Sequence, residues 1–165
     1  MSSVLAPALK RLEVRAAREG DLAAALGLLE WELPKNPWME RVGDLFKDAV
    51  RERYPEYKAC VAERDGEIVG FGVYGIVAGT VGTGMIHAIL VAPRSRRAGI
   101  GLRILEYATA DLASRRIRVI FAEMPADPYL VRYRALLLSY GFFEETRIDD
   151  YYRDGIPQII SRKDL

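Results

Sequence analysis

Apolar and polar residues alternate from Leu12 to Ala16, the period of a half-buried strand. The next residues, Ala17-Arg-Glu-Gly-Asp21, predict a turn, with Asp21 as N-cap of a helix carrying Leu22, Leu26 and Leu29 at helical spacing. Pro34 and Pro37 break that helix. A second begins at Trp38 and runs to about Arg53, with Met39, Val42, Leu45, Phe46 and Ala49 on one stripe, and Tyr54-Pro55 ends it. The β-rich runs Tyr57–Ala62 and Glu67–Tyr74 flank Asp65-Gly66, a strong hairpin signal. Gly75 to Gly84 is rich in small residues and predicts a strand end and a turn. Met85–Val91 comes next as a strand closed by Pro93.

The second half alternates helices and strands. Gly99 to about Ser114 is helical, with Ile104, Leu105, Ala108 and Leu112 on one face. Ile117–Ala122 is a strand. Pro128–Tyr140 is a helix, with proline in its first turn and Gly141 just past its end. Phe143–Tyr152 and Ile156–Ser161 form a hairpin about Asp154-Gly155. The order β-α-α-β-β-β-α-β-α-β-β contains no repeat or linker. It predicts one α/β domain over residues 1–165, a single mixed sheet with helices on its faces.

Composition narrows the chemistry. Lys plus Arg number 24 against 23 Asp plus Glu, a net charge of +1. Such balance gives no global attraction to nucleic acid or to an anionic membrane, so any phosphate site has to be a local cluster. One cysteine and one histidine exclude a disulfide framework, a cysteine-rich zinc site and any site needing two histidines, and no metal is expected. No apolar run approaches the roughly 20 residues of a membrane span. The apolar stretch in Met1–Lys10 has no basic segment ahead of it, which argues against a secretory signal. The expected location is the cytoplasm.

One stretch carries a ligand signal. A strand ends at Val91, the loop after it holds Arg94, Arg96 and Arg97, and Gly99 and Gly101 open a helix. The first amides of a helix lack internal partners and lie at the positive end of its dipole. Anions bind there, and glycine lets a phosphate approach the backbone. A solvated basic turn would show the same charges, but not the glycines between strand and helix. The G-x-G-x-x-G fingerprint fails at Ile104, and the Gly-Lys-Ser/Thr of a P-loop is absent.

Arg96-x-x-Gly99-x-Gly101, after a strand ending Leu-Val-x-Pro, resembles the acetyl-CoA loop of the GNAT superfamily of N-acyltransferases. Ala16-x-x-x-Gly20-Asp21 is similar to that family's opening turn, and Glu67-Ile-Val-Gly70-Phe to its third strand. Ser139-Tyr-Gly-Phe142 resembles its closing Gly-Phe, and Asp150–Gly155 its terminal hairpin. The likeness spans nearly the whole chain. It implies a mostly antiparallel sheet whose central parallel strands, those of Val91 and Ala122, splay apart. It also implies acetyl-CoA as co-substrate and coenzyme A as product. The pyrophosphate would rest on amides of Arg96, Arg97, Ala98, Gly99, Ile100, Gly101 and Leu102. The pantetheine would pair with amides near Leu90 and Val91.

Transfer to an amine requires a proton acceptor and stabilisation of the leaving thiolate. His87 stands four residues before Val91, where relatives often carry a glutamate base. By the period of two it shares a face with Ile89 and Val91, and an imidazole near pKa 6.5 suits proton transfer at neutral pH. A half-buried strand histidine making one hydrogen bond is the competing account. Glu123 ends the next strand, either binding the amine or standing as an ordinary strand-end carboxylate. Leu137 occupies the place where relatives carry an acid tyrosine. Tyr133, one turn earlier on the same face, is the substitute donor, unless the thiolate leaves unaided or Tyr140 serves. Direct transfer needs no covalent intermediate, so Cys60 need not be a nucleophile, and its place mid-strand among apolar residues predicts a buried structural thiol.

Two acidic groups, Glu30, Glu32 and Glu40, and Glu144, Glu145, Asp149 and Asp150, either attract a cationic amine or are simply solvated. Trp31, Trp38, Tyr151 and Tyr152 either wall an acceptor cleft or pack the core. The leading expectation is an N-acetyltransferase that moves acetyl from acetyl-CoA to a primary amine, on a small molecule or a protein, by direct attack in a ternary complex. The alternative is a non-catalytic acyl-CoA binding or sensor domain. Neither needs nucleic acid or membrane. A homodimer is a family-level expectation.

Overall fold

The computed structural model describes residues 11–32 and 37–165. The strands are β1 (Leu12–Ala16), β2 (Tyr57–Arg64), β3 (Glu67–Ile76), β4 (Thr83–Val91), β5 (Val119–Pro125), β6 (Phe143–Arg153) and β7 (Ile156–Asp164). The helices are α1 (Leu22–Glu32), α2 (Pro37–Val50), α3 (Ile100–Ser114) and α4 (Val131–Ser139). They succeed one another in the order the hydrophobic pattern predicts. The strands form one seven-stranded sheet, β1-β2-β3-β4-β5-β7-β6, in which β4 and β5 are the parallel pair.

Each face of the sheet has its own core. Ile86, Ile104, Leu105, Leu112, Met124 and Leu137 pack together where α3 and α4 cover one face. Val42, Phe46, Val61, Phe71, Val73 and Ala88 pack where α1 and α2 cover the other, with the Phe46 and Phe71 rings 4.7 Å apart. Two strand glycines set the seat of α3. A Cβ on Gly70 would stand 3.0 Å from Ile104 Cδ1, and one on Gly72 2.7 Å from Ile104 Cγ2. Only hydrogen at these positions lets the helix lie close against β3. That approach brings the N-terminus of α3 beside the end of β4.

Strand β4 is irregular on both of its edges. Its pairing with β5 covers only Thr83–Ile86 against Val119–Ala122, although β4 continues to Val91 and β5 to Pro125. Beyond Ile86 and Ala122 the two strands part. The ladder to β3 also slips, pairing Tyr74 with Ile86 and Val73 with Ala88, so His87 is the extra residue of a β-bulge.

The bulge corrects a sequence expectation. Ile89 and Val91 pack with the α3 core, while Ala88 packs with the α1–α2 core and His87 meets Tyr57 at a ring distance of 5.4 Å. His87 therefore does not share a face with Ile89 and Val91, because the inserted residue breaks the period of two.

Asp21 also differs from expectation. Its carboxylate turns backward, accepting from the Arg18 amide at 2.8 Å and from both Arg15 Nη atoms at 2.8 and 2.9 Å. The Arg15 bond holds the Asp21 carboxyl below its usual range, and Arg15 also reaches Glu63 at 2.7 Å. Asp21 thus ties the turn back to β1 instead of capping α1, and Arg15 links β1 to Glu63 of β2. Strand β5 extends past the predicted Ala122 and takes in Glu123 and Met124, and Pro128–Leu130 form a 3₁₀ turn ahead of α4. The break at Pro34 and the side chains of Trp31 and Glu32 lie outside the described residues.

Candidate active site

On the α3 face, the parting of β4 and β5 opens into a cleft of about 380 Å³. Of the residues expected to hold the cofactor, Leu90, Val91, Arg96, Arg97, Gly99, Ile100, Gly101 and Leu102 line it, and Ala98 does not. Arg97 and Gly99 both adopt left-handed backbone, with φ of 66° and 71°. Such conformations turn successive amides toward one side and create a concave anion site. The first amide of α3 bonded to the turn before it is that of Arg103, to the Gly99 carbonyl at 3.1 Å. The amides of Ile100, Gly101 and Leu102 come earlier and have no acceptor inside the helix.

The three loop arginines separate. Arg96 donates from Nε to the Val91 carbonyl at 3.3 Å, which ties the loop to the strand end. Burial, and then the like charge of Arg132, lower its pKa. Arg94 turns away and pairs with Glu67 at 3.1 Å, so it does not join the cleft. Arg132 takes its place. It lines the cleft from α4, and the sequence pattern alone did not single it out. The signal was the Asp127-Pro128 helix start, where the Asp127 carboxylate accepts from the Tyr129 amide at 3.4 Å, succeeded by a cation in the first turn of α4.

Tyr133 lines the same cleft, and its hydroxyl is buried with no partner among the described residues. Burial raises its pKa, so the phenol stays protonated at physiological pH. Leu137 lies fully buried on the same side of α4. Tyr140 is occupied elsewhere. Its hydroxyl is 2.9 Å from Thr109 Oγ1, and Lys163 stands over its ring at 5.3 Å.

On the opposite face, His87 and Glu123 are the first residues beyond the last β4–β5 pair. Both line a cleft of about 320 Å³ together with Trp38, Arg41, Tyr151 and Tyr152. Glu123 is half-buried and accepts from Gln158 Nε2 at 3.4 Å. His87 Nε2 is buried without a partner among the described residues. Burial, and then the Arg41 charge, push its pKa down to about 4. The imidazole is neutral throughout the physiological range, not half-titrated as an ordinary value of about 6.5 would make it.

The two tyrosines reach this cleft through a second bulge. Pairing of β6 with β7 jumps from Ile148–Gln158 to Arg153–Ile156, so Asp149–Tyr152 stand opposite Pro157 alone. Asp150 has φ of 53°, and its carboxylate accepts from the Gly155 amide at 2.7 Å. Burial pushes the Tyr152 hydroxyl up to about 12.

The acidic residues of this hairpin do not line the cleft. Glu144 pairs with Arg134, Glu145 with Arg162 at 3.6 Å, and Asp149 with Arg147 at 3.3 Å. Glu30 and Glu40 are exposed. Cys60 is fully buried, and its thiol is pushed up to about 12 by that burial, as expected of an unreactive packing residue. Among the described residues, no cluster of three or more His, Cys, Asp or Glu side chains is placed to hold a metal. No described helix is long and apolar enough to cross a membrane.

The mixed sheet parts at its parallel pair, and the N-terminus of α3 stands at the opening. A profile of the acetyltransferase (GNAT) family matches residues 23–133, and the chain belongs to that family. The fold is shared by a GNAT-family protein from Desulfovibrio desulfuricans, with TM-score 0.83, 23% identity, and 93% of this chain and 99% of the other covered. It is similar to the ribosomal-protein-S18-alanine N-acetyltransferase of Escherichia coli, with TM-score 0.74, 20% identity and 94% of each chain covered. A Salmonella typhimurium protein solved with its cofactor acetyl-CoA matches at TM-score 0.71 and 15% identity, over 93% of this chain and 94% of the other. No curated protein matches the sequence.

Proposed function

We propose that the protein transfers acetyl from acetyl-CoA to a primary amine by direct attack, with both substrates bound at once. The observation that carries this is the pair of clefts on opposite faces of one sheet, both bordering the point where β4 and β5 part. The coenzyme pyrophosphate fits the amides of Ile100–Leu102, with Arg96, Arg97 and Arg132 around it. The β4 edge at Leu90 and Val91 has no strand partner on the β5 side and suits the amide-bearing pantetheine. The acetyl carbonyl then lies at the parting, with His87 and Glu123 across from it.

The amine nitrogen attacks the thioester carbon from the side of His87. As the C–N bond forms, the nitrogen becomes positive and its proton becomes far more acidic. The neutral, unpartnered His87 Nε2 accepts that proton, and Glu123 stabilises the cation beside it. The C–S bond breaks, and Tyr133 donates its proton to the departing sulfur. Solvent exchange restores both side chains.

The test is release of coenzyme A thiol from acetyl-CoA across a panel of amines, amino acids and peptide N-termini. Release with at least one acceptor, with an acetylated product by mass, is the expected result. Tight acetyl-CoA binding with no thiol release from any acceptor would instead establish a binding or sensor domain.

His87→Ala is expected to lower kcat by about 10²-fold, within the usual range for a general base. Acetyl-CoA affinity should be retained, because His87 does not line the cofactor cleft. An imidazole of pKa about 4 also predicts no inflection near pH 6.5 in wild-type kcat/KM. An inflection there that disappears in the variant would show that His87 titrates near its ordinary value in the working enzyme.

A further inference from the structure

The acceptor cleft carries one charge of each sign. Arg41 projects from α2 and Glu123 from β5, and both line the same cavity. Neither forms an ion pair among the described residues. Several arginines elsewhere are held by carboxylates, as in Arg15 with Asp21, Arg51 with Glu19 and Arg134 with Glu144. Arg41 is close enough to His87 to depress its pKa, so the cation stands near the place where the amine is deprotonated.

This pairing constrains the acceptor. An oligo-cationic amine would bring a second positive charge toward Arg41, and none of the acidic residues of the last hairpin lines the cleft to offset it: Glu144, Glu145 and Asp149 pair with arginines, and Asp150 accepts from the Gly155 amide. A molecule bearing an amine and a carboxylate on one carbon satisfies both charges: the amine meets Glu123 and His87, and the carboxylate meets Arg41. Apart from Gln158, which donates to Glu123, the remaining wall, with Trp38, Val42, Tyr151 and Tyr152, is apolar or aromatic. At about 320 Å³ the cavity falls at the small end of ligand sites.

Resting on the transfer activity proposed above, we infer that the acceptor is a free α-amino acid with an apolar or aromatic side chain. Arg41 reads its carboxylate. Trp38 and the two tyrosines receive its side chain, and the bulge in β6 is what delivers those tyrosines to the cleft.

Thiol release is measured with phenylalanine, leucine and methionine, with their carboxamides, with phenethylamine, with spermidine and with a Phe-led tripeptide amide. Wild-type kcat/KM is expected to favour each free acid over its amide by at least about tenfold, mainly through KM, as a charge-assisted contact provides. In Arg41→Gln that ratio should fall to near one, and Arg41→Lys should restore part of it. Titration calorimetry of phenylalanine against phenylalaninamide, with coenzyme A bound, reads the same preference without turnover. Equal handling of acid and amide, a preference that survives Arg41→Gln, or a better rate with spermidine or the tripeptide overturns the inference. If no acceptor releases thiol, the transfer activity fails. The calorimetric preference for the free acid, and its loss in Arg41→Gln, then still decides whether the cleft recognises an amino acid.

Discussion

Gly99→Glu is expected to weaken acetyl-CoA binding by at least about 100-fold, measured by calorimetry, while the protein remains folded. Gly99 is the N-cap of α3, with φ of 71°, and an added Cβ meets nothing within 4 Å. The side chain therefore has room, and the apo fold has to absorb only the cost of left-handed backbone, about 1–2 kcal/mol. Binding suffers because the carboxylate enters the space into which the helix amides point, where the pyrophosphate has to sit. Juxtaposed like charges cost several kcal/mol, and about 2.7 kcal/mol already corresponds to about 100-fold. Gly99→Asn separates the two causes, because asparagine tolerates the left-handed region and adds no charge. It should lose less than about tenfold. Wild-type affinity in Gly99→Glu would remove this loop from coenzyme binding.

Tyr133→Phe is expected to lower kcat by at least about 10²-fold with acetyl-CoA affinity nearly intact, the lower end of general-acid catalysis. The variant deletes one hydroxyl that is buried without a partner among the described residues, so it also removes a desolvated polar group. Its thermal midpoint should be equal to or higher than that of the wild type. Loss of rate with gain of stability is the combination a purely structural tyrosine does not produce. The measurement requires a condition in which chemistry limits turnover. An unchanged rate there would mean that the thiolate leaves without assistance. That outcome is chemically accessible, because a thiol near pKa 8.5 is a far better leaving group than an amine.

The legible parts of this protein were local ones. Helices α2 and α3 arise from stripes at helical spacing, and the β2–β3 hairpin from Asp65-Gly66. The loop between β4 and α3 was legible because glycines and arginines between a strand and a helix are a backbone device, written over a dozen residues. Tyr133 was placed by counting one turn back from Leu137, and α4 does bury both on one side. The face of His87 was not legible. A bulge depends on how β3 and β4 register against each other, and nothing in residues 85 to 91 signals the extra residue. Nor was its pKa, which burial and the Arg41 charge set from other elements.

The same division runs through both clefts. Local spacing along the chain by itself determined the element order and the glycine-flanked helix start proposed to receive the pyrophosphate, since propensity, capping and glycine conformation act over a few residues. Tertiary structure decided which arginines line the first cleft. Glu67 draws Arg94 away, while α4 brings Arg132 in. It also decided that Trp38, Arg41, Glu123, Tyr151 and Tyr152 meet, although they come from α2, β5 and β6. Contacts between residues so far apart in sequence depend on sheet order and on where pairing stops. Those in turn depend on packing across both faces at once, such as the close seat of α3 on Gly70 and Gly72, which no local pattern encodes.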